Sequence, residues 1–198
     1  MKLFMSATSP FARKVRIVIR EKGLTDKVEE VPFVPIEAKP ELLAINPLSQ
    51  IPALIDDNGV SWTDSSLIAA WLDQQGGGPA LLPPAGTEDY WRVRRVETAG
   101  MGLFEMMAKI VYEYRRPENE RSPFWLGRWQ DNLKRGFEHA EAICPQGDAL
   151  DMGSLTLAVA GTFCDLRLFD IGWRSLAPRI SRLNETLEKR QSFIDTRP

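Results

Sequence analysis

The 198-residue chain has only two cysteines, Cys144 and Cys164, and a single histidine, His139. No CxxC pair and no metal-ligand spacing accompanies them, so neither a zinc site nor a disulfide framework is expected. Both thiols read as buried packing residues. His139 reads as a solvated or hydrogen-bonded helix position, because no partner spacing suggests catalysis. An excess of charge is lacking too: 25 Lys and Arg against 27 Asp and Glu leave a formal net charge of −2. That balance removes the electrostatic case for nucleic acid. No apolar stretch approaches the roughly 20 residues needed to span a bilayer, and no run has the layout of a signal peptide. The expectation is a cytoplasmic protein with no membrane role.

Against these absences stands one dense segment, Asn46-Pro47-Leu48-Ser49-Gln50-Ile51-Pro52-Ala53-Leu54-Ile55, followed by Trp62-Thr63-Asp64-Ser65-Ser66-Leu67-Ile68. A proline at a strand start cannot donate to a ladder, which confines it to an edge, and Ile51-Pro52 is a bond that takes the cis form at modest cost. The backbone of Ile51 is then free to pair with a ligand. Asp64-Ser65 precedes the apolar positions Leu67, Ile68, Trp71 and Leu72, where N-cap chemistry starts a helix whose free amides and positive dipole end attract a carboxylate. An extended edge beside an anion-binding helix start suits a small acidic peptide.

The beginning of the chain supplies a chemical centre. Lys2 to Met5 is a strand-like run, Ser6 to Ser9 a polar loop, and Pro10 sits where a first helical residue can lack its N–H. Ser9 reads as the N-cap, and Gly23 closes the helix. A hydroxyl at such a helix start can donate to an anion in a field that favours negative charge, stabilising a thiolate. Ser9, Asp64 and Ser65 also have purely structural roles open to them as caps, and Pro52 as an edge proline. The Arg13, Arg16 and Arg20 row reads as a solvated face. Trp62, Trp71, Trp125 and Trp129 read as packing residues.

Composition divides the chain. Gly76-Gly77-Gly78-Pro79 and Leu81 to Gly86 form a stretch that no helix or central strand would carry. The expected arrangement is a first domain over 1–76, a linker over 77–87 and a second domain over 88–198. In the first, strand 2–5, helix 10–22, a strand near 28–34, a loop through Pro47, strand 52–56, a turn at Asp57-Asn58-Gly59, strand 60–62 and helix 65–74 are predicted. With a weakly patterned 37–45 segment this is a βαβαββα order of thioredoxin type. After Thr87 strand signals almost vanish. Amphipathic or apolar patterns over 88–114, 123–143, 154–168 and 179–190 predict an all-helical bundle, with 154–168 as its buried central helix.

Ser9-Pro10-Phe11-Ala12-Arg13-Lys14-Val15-Arg16, Asn46-Pro47 with Gln50-Ile51-Pro52-Ala53-Leu54, and Asp64-Ser65-Ser66 with Ile68 and Trp71-Leu72-Asp73 closely resemble, in order and spacing, the N-terminal half of cytosolic glutathione transferases, especially bacterial and plant-like serine types. The resemblance extends more loosely over the helical remainder. It implies the two-domain fold of that family, a homodimer, and glutathione as co-substrate. Ser9 would face the glutathione sulfur, with Thr8 as an alternative, and Ile51 before cis Pro52 would bond the cysteinyl part. Asp64 and Ser65 would hold the γ-glutamyl amine and carboxylate, with Gln50 as a polar contact and Lys39 near the glycine end. Thiol-transfer members place cysteine where this chain has Ser9, and a hydroxyl cannot form a mixed disulfide, so glutaredoxin-like reduction is disfavoured.

In that family the electrophile lies between the domains, which points to Phe11, Met101, Phe104, Glu105, Met106 and Lys109, with Trp173 as a further candidate. A lining of this kind suits hydrophobic electrophiles, while the same stripe at helical spacing also suits core or dimer contact. The implied activity is transfer of the glutathione thiolate to small hydrophobic electrophiles, a detoxification chemistry. Peroxidase, dehalogenase or isomerase activity on the same scaffold is an alternative, as is a non-enzymatic glutathione-fold binding protein. The family opens its buried central helix with a Ser/Thr-x-x-Asp capping box, and Thr156-Leu157-Ala158-Val159 aligns with it. On that alignment half of the box is missing and Val159→Asp would add about 1 kcal/mol, unless Val159 is buried or the helix starts earlier, near Ser154.

Overall fold

The computed structural model describes residues 1–34, 37 and 39–198. They form two compact units, Met1–Leu82 with Arg190–Pro198, and Pro83–Lys189. This differs from the expected division at two places. Residues 77–82 belong to the first unit because the glycine run packs onto the end of the first helix: Gly77 N–H donates to the Lys22 carbonyl at 3.1 Å. A Cβ at Gly76 would lie 2.2 Å from that same oxygen, so the approach needs glycine. Residues 190–198 also join the first unit, for an electrostatic reason given below.

In the first unit, β1 (Lys2–Met5) is buried at every position but Lys2. It lies inside a four-stranded sheet of order β2-β1-β3-β4, parallel to β2 (Glu29–Pro32) and antiparallel to β3 (Ala53–Ile55), with β4 (Ser61–Thr63) antiparallel to β3. Three helices complete the unit's first part: α1 (Pro10–Glu21), α2 (Pro40–Leu43) and α3 (Ser65–Asp73). The βαβαββα order is the thioredoxin-like one. The expected loop through Pro47 contains the short α2, and its residues 35, 36 and 38 lie outside the described residues.

The face of α1 expected to be solvated is buried. Of that row Arg13 and Arg16 are 2% and 7% exposed and Arg20 is half-buried, and Lys14 beside them is 0% exposed. Helical periodicity showed a polar face, but the far end of the chain covers it. Arg13 Nη2 donates to the Phe193 carbonyl at 3.1 Å and Arg16 Nη1 to the Thr196 carbonyl at 3.2 Å. These acceptors lie at the end of α9 (Gln191–Ile194) and just beyond it, where helix carbonyls lack partners and cations are favoured. Arg190 forks onto Glu21 at 3.0 and 2.8 Å, and Ser192 donates to Glu21 at 2.5 Å. Arg16 and Arg20 share Glu30 at 2.7 and 2.5 Å. Burial pushes Glu21 and Glu30 up, but these hydrogen bonds outweigh it and hold both below the ordinary carboxylate range.

The second unit is helical, as expected: α4 (Glu88–Tyr114), α5 (Pro123–Ile143), α6 (Met152–Arg167), α7 (Trp173–Leu176) and α8 (Pro178–Leu187), with short 3-10 turns at Glu118–Glu120 and Phe169–Ile171. Thr87 caps α4 and Ser122 caps α5, each accepting from an amide three residues on. α6 is buried along almost its whole length and is the central helix. It approaches α4 closely, since a Cβ at Gly100 would sit 2.7 Å from Thr156 Cγ2.

The capping-box alignment on Thr156 and Val159 is overturned. The box is five residues earlier: Ser154 N–H donates to Asp151 Oδ1 at 2.7 Å and Asp151 N–H to Ser154 Oγ at 2.8 Å. Thr156 and Val159 are interior helix residues, 0% and 1% exposed, and Thr156 Oγ1 donates to the Met152 carbonyl at 2.6 Å. A carboxylate at 159 would enter an apolar core. Val159→Asp is therefore expected to destabilise by at least about 2 kcal/mol, and Asp151→Ala by about 1 kcal/mol. Thermal unfolding of both variants checks this, and a melting point for Val159→Asp at or above that of the parent contradicts it.

A second expectation concerns acid. Carboxylates held below their unfolded pKa contribute stability above it that is lost as pH falls through the folded value. Stability against denaturant should fall as the pH drops below the ordinary glutamate value of 4.5. In Glu21→Gln, which cannot titrate, the decline should be shallower, and an unchanged slope would remove Glu21 from the account.

Candidate functional site

Strand register gathers the candidate residues. Phe4 pairs with Ala53, and Ala53 with Thr63. The loop leaving β1, the Ile51-Pro52 step entering β3 and the Asp64-Ser65 step leaving β4 therefore emerge at one end of the sheet.

Ser9 caps α1 from the loop. Its Oγ accepts from Ala12 N–H at 3.3 Å, and the hydroxyl proton remains available to donate. Thr8, the alternative, is exposed and lies 3.4 Å from Ser6 Oγ. Pro10 at the first helical position gives up no bond there. The Ile51-Pro52 bond is cis. Ile51 lies outside the strand ladder, and among the described residues its backbone groups make no hydrogen bond. Gln50 beside it is exposed.

Asp64 adopts φ 71° and ψ 125°, a sparsely populated conformation for a residue with a side chain. Its Oδ1 accepts from the Ser66 and Leu67 amides at 2.8 and 3.1 Å, capping α3. Oδ2 takes no partner among the described residues. Ser65 is the first residue of α3 and is 2% exposed, so it offers a ligand little more than its rim. Lys39 stands apart from this end-of-sheet cluster in character: it is exposed and held 2.6 Å from Glu37, whose hydrogen bond and charge raise its pKa.

Two residues that shape the site went without a role in the sequence reading. Asn46, 4% exposed, donates from Nδ2 to the Gln50 carbonyl at 2.9 Å and accepts the Leu48 amide at 3.1 Å. It folds the loop that delivers Ile51-Pro52. An Asn ahead of Pro is a turn signal that could have pointed to it. Lys14, fully buried, bonds Ser66 Oγ at 3.1 Å. A lysine on a polar face carried no signal distinguishing it from a solvated one.

The proposed electrophile residues fare unevenly. Met101, Glu105 and Lys109 recur at every fourth position of α4; Met101 is half-buried, the other two exposed. Phe11 and Met106 are half-buried. Phe104 is 0% exposed and cannot present a surface to a ligand. Trp173 is also withdrawn: it is 2% exposed, stacked on Phe137 with centroids 5.3 Å apart, and its Nε1 donates to Asp165 at 2.7 Å. Of the tryptophans read as packing, Trp62 and Trp71 stack at 4.6 Å and Trp125 and Trp129 at 5.7 Å, with Trp125 still 47% exposed beside an exposed Phe124. On the second unit an open cleft of about 480 Å³ runs between α4 and α5, lined by Trp91, Arg94, Arg95 and His139 among others. It contains none of the candidate site residues.

The fold is a thioredoxin-like unit followed by a helical unit. Residues 8–75 match the model of the glutathione S-transferase N-terminal domain. Over its whole length the chain is 32% identical to the uncharacterized GST-like protein YibF of Escherichia coli K12, covering 98% of that protein. A glutathione transferase family member from Pseudomonas fluorescens Pf-5 with bound glutathione matches with a TM-score of 0.93 at 30% identity, over all of this chain and 98% of the other. A glutathione S-transferase from Methylobacterium radiotolerans, in complex with glutathione sulfonate, gives a TM-score of 0.89 at 31% identity over all of this chain and 94% of that one. The chain belongs to the glutathione S-transferase family.

The cysteines stand outside this chemistry. Burial pushes the Cys144 thiol up to about 11 and the Cys164 thiol up to about 12, with neighbouring carboxylates adding to the rise. Thiolates are the reactive form. Neither thiol should react with an aromatic disulfide reagent at pH 8 in the folded protein, and both should react after unfolding; rapid labelling of the native chain would contradict this.

Proposed function

We propose that the chain is a glutathione transferase that presents the glutathione thiolate to small hydrophobic electrophiles. The observation that carries this reading is the meeting, at one end of the sheet, of a hydroxyl at a helix start, a backbone step before cis Pro52 with no hydrogen bond among the described residues, and a carboxylate with one oxygen engaged. Each suits a different part of one ligand. The Ser9 O–H donates to sulfur, Ile51 pairs with the cysteinyl backbone, and Asp64 Oδ2 takes the γ-glutamyl ammonium. The N-terminus of α3 with Ser65 receives the carboxylate. Gln50 and Lys39 remain outer polar contacts.

The protein contributes no covalent nucleophile. Bound glutathione loses its thiol proton to solvent, its sulfur attacks the electrophilic carbon, and the leaving group departs with the bonding pair. A thiol near pKa 8.5 is only a few per cent ionised at neutral pH, so lowering it by about two units gains at most about thirtyfold. Positioning supplies the rest. Phe11, Met101, Glu105 and Lys109 are the residues proposed to meet the second substrate. Homodimer formation and a cytoplasmic setting belong to the same proposal, and light scattering on the purified chain tests the first.

Ser9→Ala is expected to leave the glutathione dissociation constant within about threefold while raising the pKa of the bound thiol, because the hydroxyl meets sulfur and the peptide is held elsewhere. Ultraviolet titration of the thiolate reads this. Identical titration curves would reduce Ser9 to a helix cap. Asp64→Ala and Ser65→Ala should each weaken binding by about tenfold or more, as charged hydrogen bonds of roughly 1.5–3 kcal/mol are lost. Unchanged calorimetric affinity in both would defeat the site assignment. Turnover of aryl halides, hydroperoxides and isothiocyanates by the unmodified chain separates transfer from peroxidase activity, and binding with no turnover would favour a non-enzymatic binder.

A further inference from the structure

Lys14 is among the largest side chains with no exposure at all. Lysine is almost never fully buried, and an apolar residue of like volume would fill the space without desolvating an ammonium. One contact of the ammonium joins two helices. Nζ donates to Ser66 Oγ at 3.1 Å, while the backbone N–H of Ser66 donates to Asp64 Oδ1 at 2.8 Å. Ser66 is thereby held at both ends, and a continuous chain of polar contacts runs from α1 to the carboxylate of Asp64.

The two helices so joined are the two that matter to the site. Ser9 lies five residues before Lys14, about one and a half turns or roughly 7.5 Å along α1. Ser65 directly precedes Ser66. A ligand with its sulfur at Ser9 and its amine at Asp64 spans both helix starts, so their spacing decides whether both contacts form at once. Misplacement by about 1 Å can cost a reaction about a hundredfold. Asp64 also holds a conformation that needs support from its surroundings, with φ 71°.

We propose that Lys14 is a positioning residue of the glutathione site, acting through Ser66 to fix Asp64 and α3 against the Ser9 end of α1. The inference rests on the proposed glutathione site. It assigns Lys14 no contact with substrate: its effect reaches the ligand through Ser66 and Asp64.

The test is a double-variant cycle of K14M, S66A and K14M/S66A in the full chain, with glutathione affinity measured by calorimetry and the bound thiol followed by ultraviolet titration. Each single variant is expected to weaken glutathione binding by about tenfold and to raise the pKa of the bound thiol. The double variant should be no worse than the more affected single one, because the same contact is removed twice. Loss of packing alone would lower the melting temperature without moving the thiol pKa, and would not produce this coupling. If K14M fails to fold, S66A decides alone, since it trims a half-buried hydroxyl and leaves the lysine in place. Parent-like affinity and thiol pKa in the folded single variants, or losses that multiply in the double variant, overturn the proposal. Failure of the parent chain itself to bind glutathione defeats the underlying site assignment, a result distinct from parent-like behaviour of the variants.

Discussion

Burying a row of cations on one helix constrains the whole first unit. Arg13, Lys14 and Arg16 are each less than a tenth exposed, and a buried charge without acceptors would cost several kcal/mol. Acceptors come from at least three directions. The chain's last residues supply the Phe193 and Thr196 carbonyls, β2 supplies Glu30, and α3 supplies Ser66. The end of the chain is therefore part of the first unit, and α1 is pinned along its length. The helix so pinned carries Ser9.

The site inherits this rigidity. Its groups sit on separate segments, the β1–α1 loop, the step into β3 and the start of α3, and only the sheet register brings them to one end. Local devices then aim each one: Pro10 and Ser9 start α1, Asn46 shapes the turn before Ile51, and Asp64 caps α3 with one carboxylate oxygen while leaving the other open. On the proposed reading a short acidic peptide would meet there a donor for sulfur, a backbone with no hydrogen bond among the described residues and an acceptor for its amine. That complementarity, with membership in the glutathione S-transferase family, gives the proposed thiolate chemistry its basis. On that proposal, much of the rate would come from how these groups are held, since ionisation of a thiol supplies only about thirtyfold.

Some elements were legible because their signals are local. Ser9-Pro10 and Gly23 mark the two ends of α1, Asp57-Asn58-Gly59 marks the turn between β3 and β4, and the helices expected from 88 and 123 do start there, behind the caps Thr87 and Ser122. The central helix was harder. α6 is apolar on nearly every face, so periodicity could not locate its start, and Asp151 rather than Thr156 provides the cap. For Phe104 and Trp173 the sequence left ligand surface and core packing both open, because an aromatic residue at helical spacing looks the same whether it faces a core or a cleft, and both are buried.

What the sequence by itself determined is the set of local choices: cap and turn residues, the helix and strand periods, the cis-competent Ile51-Pro52 step, and a hydroxyl rather than a thiol at position 9. Propensity and hydrogen-bond chemistry act over a few residues, so these choices can be read without coordinates. Only the tertiary structure decided which polar face is covered. The contacts of Arg13 and Arg16 with Phe193 and Thr196 span 180 residues each, and Lys14 reaches Ser66 across 52. Such pairings leave no periodic trace, because burial of a charge depends on which distant acceptors the folded chain happens to bring to it.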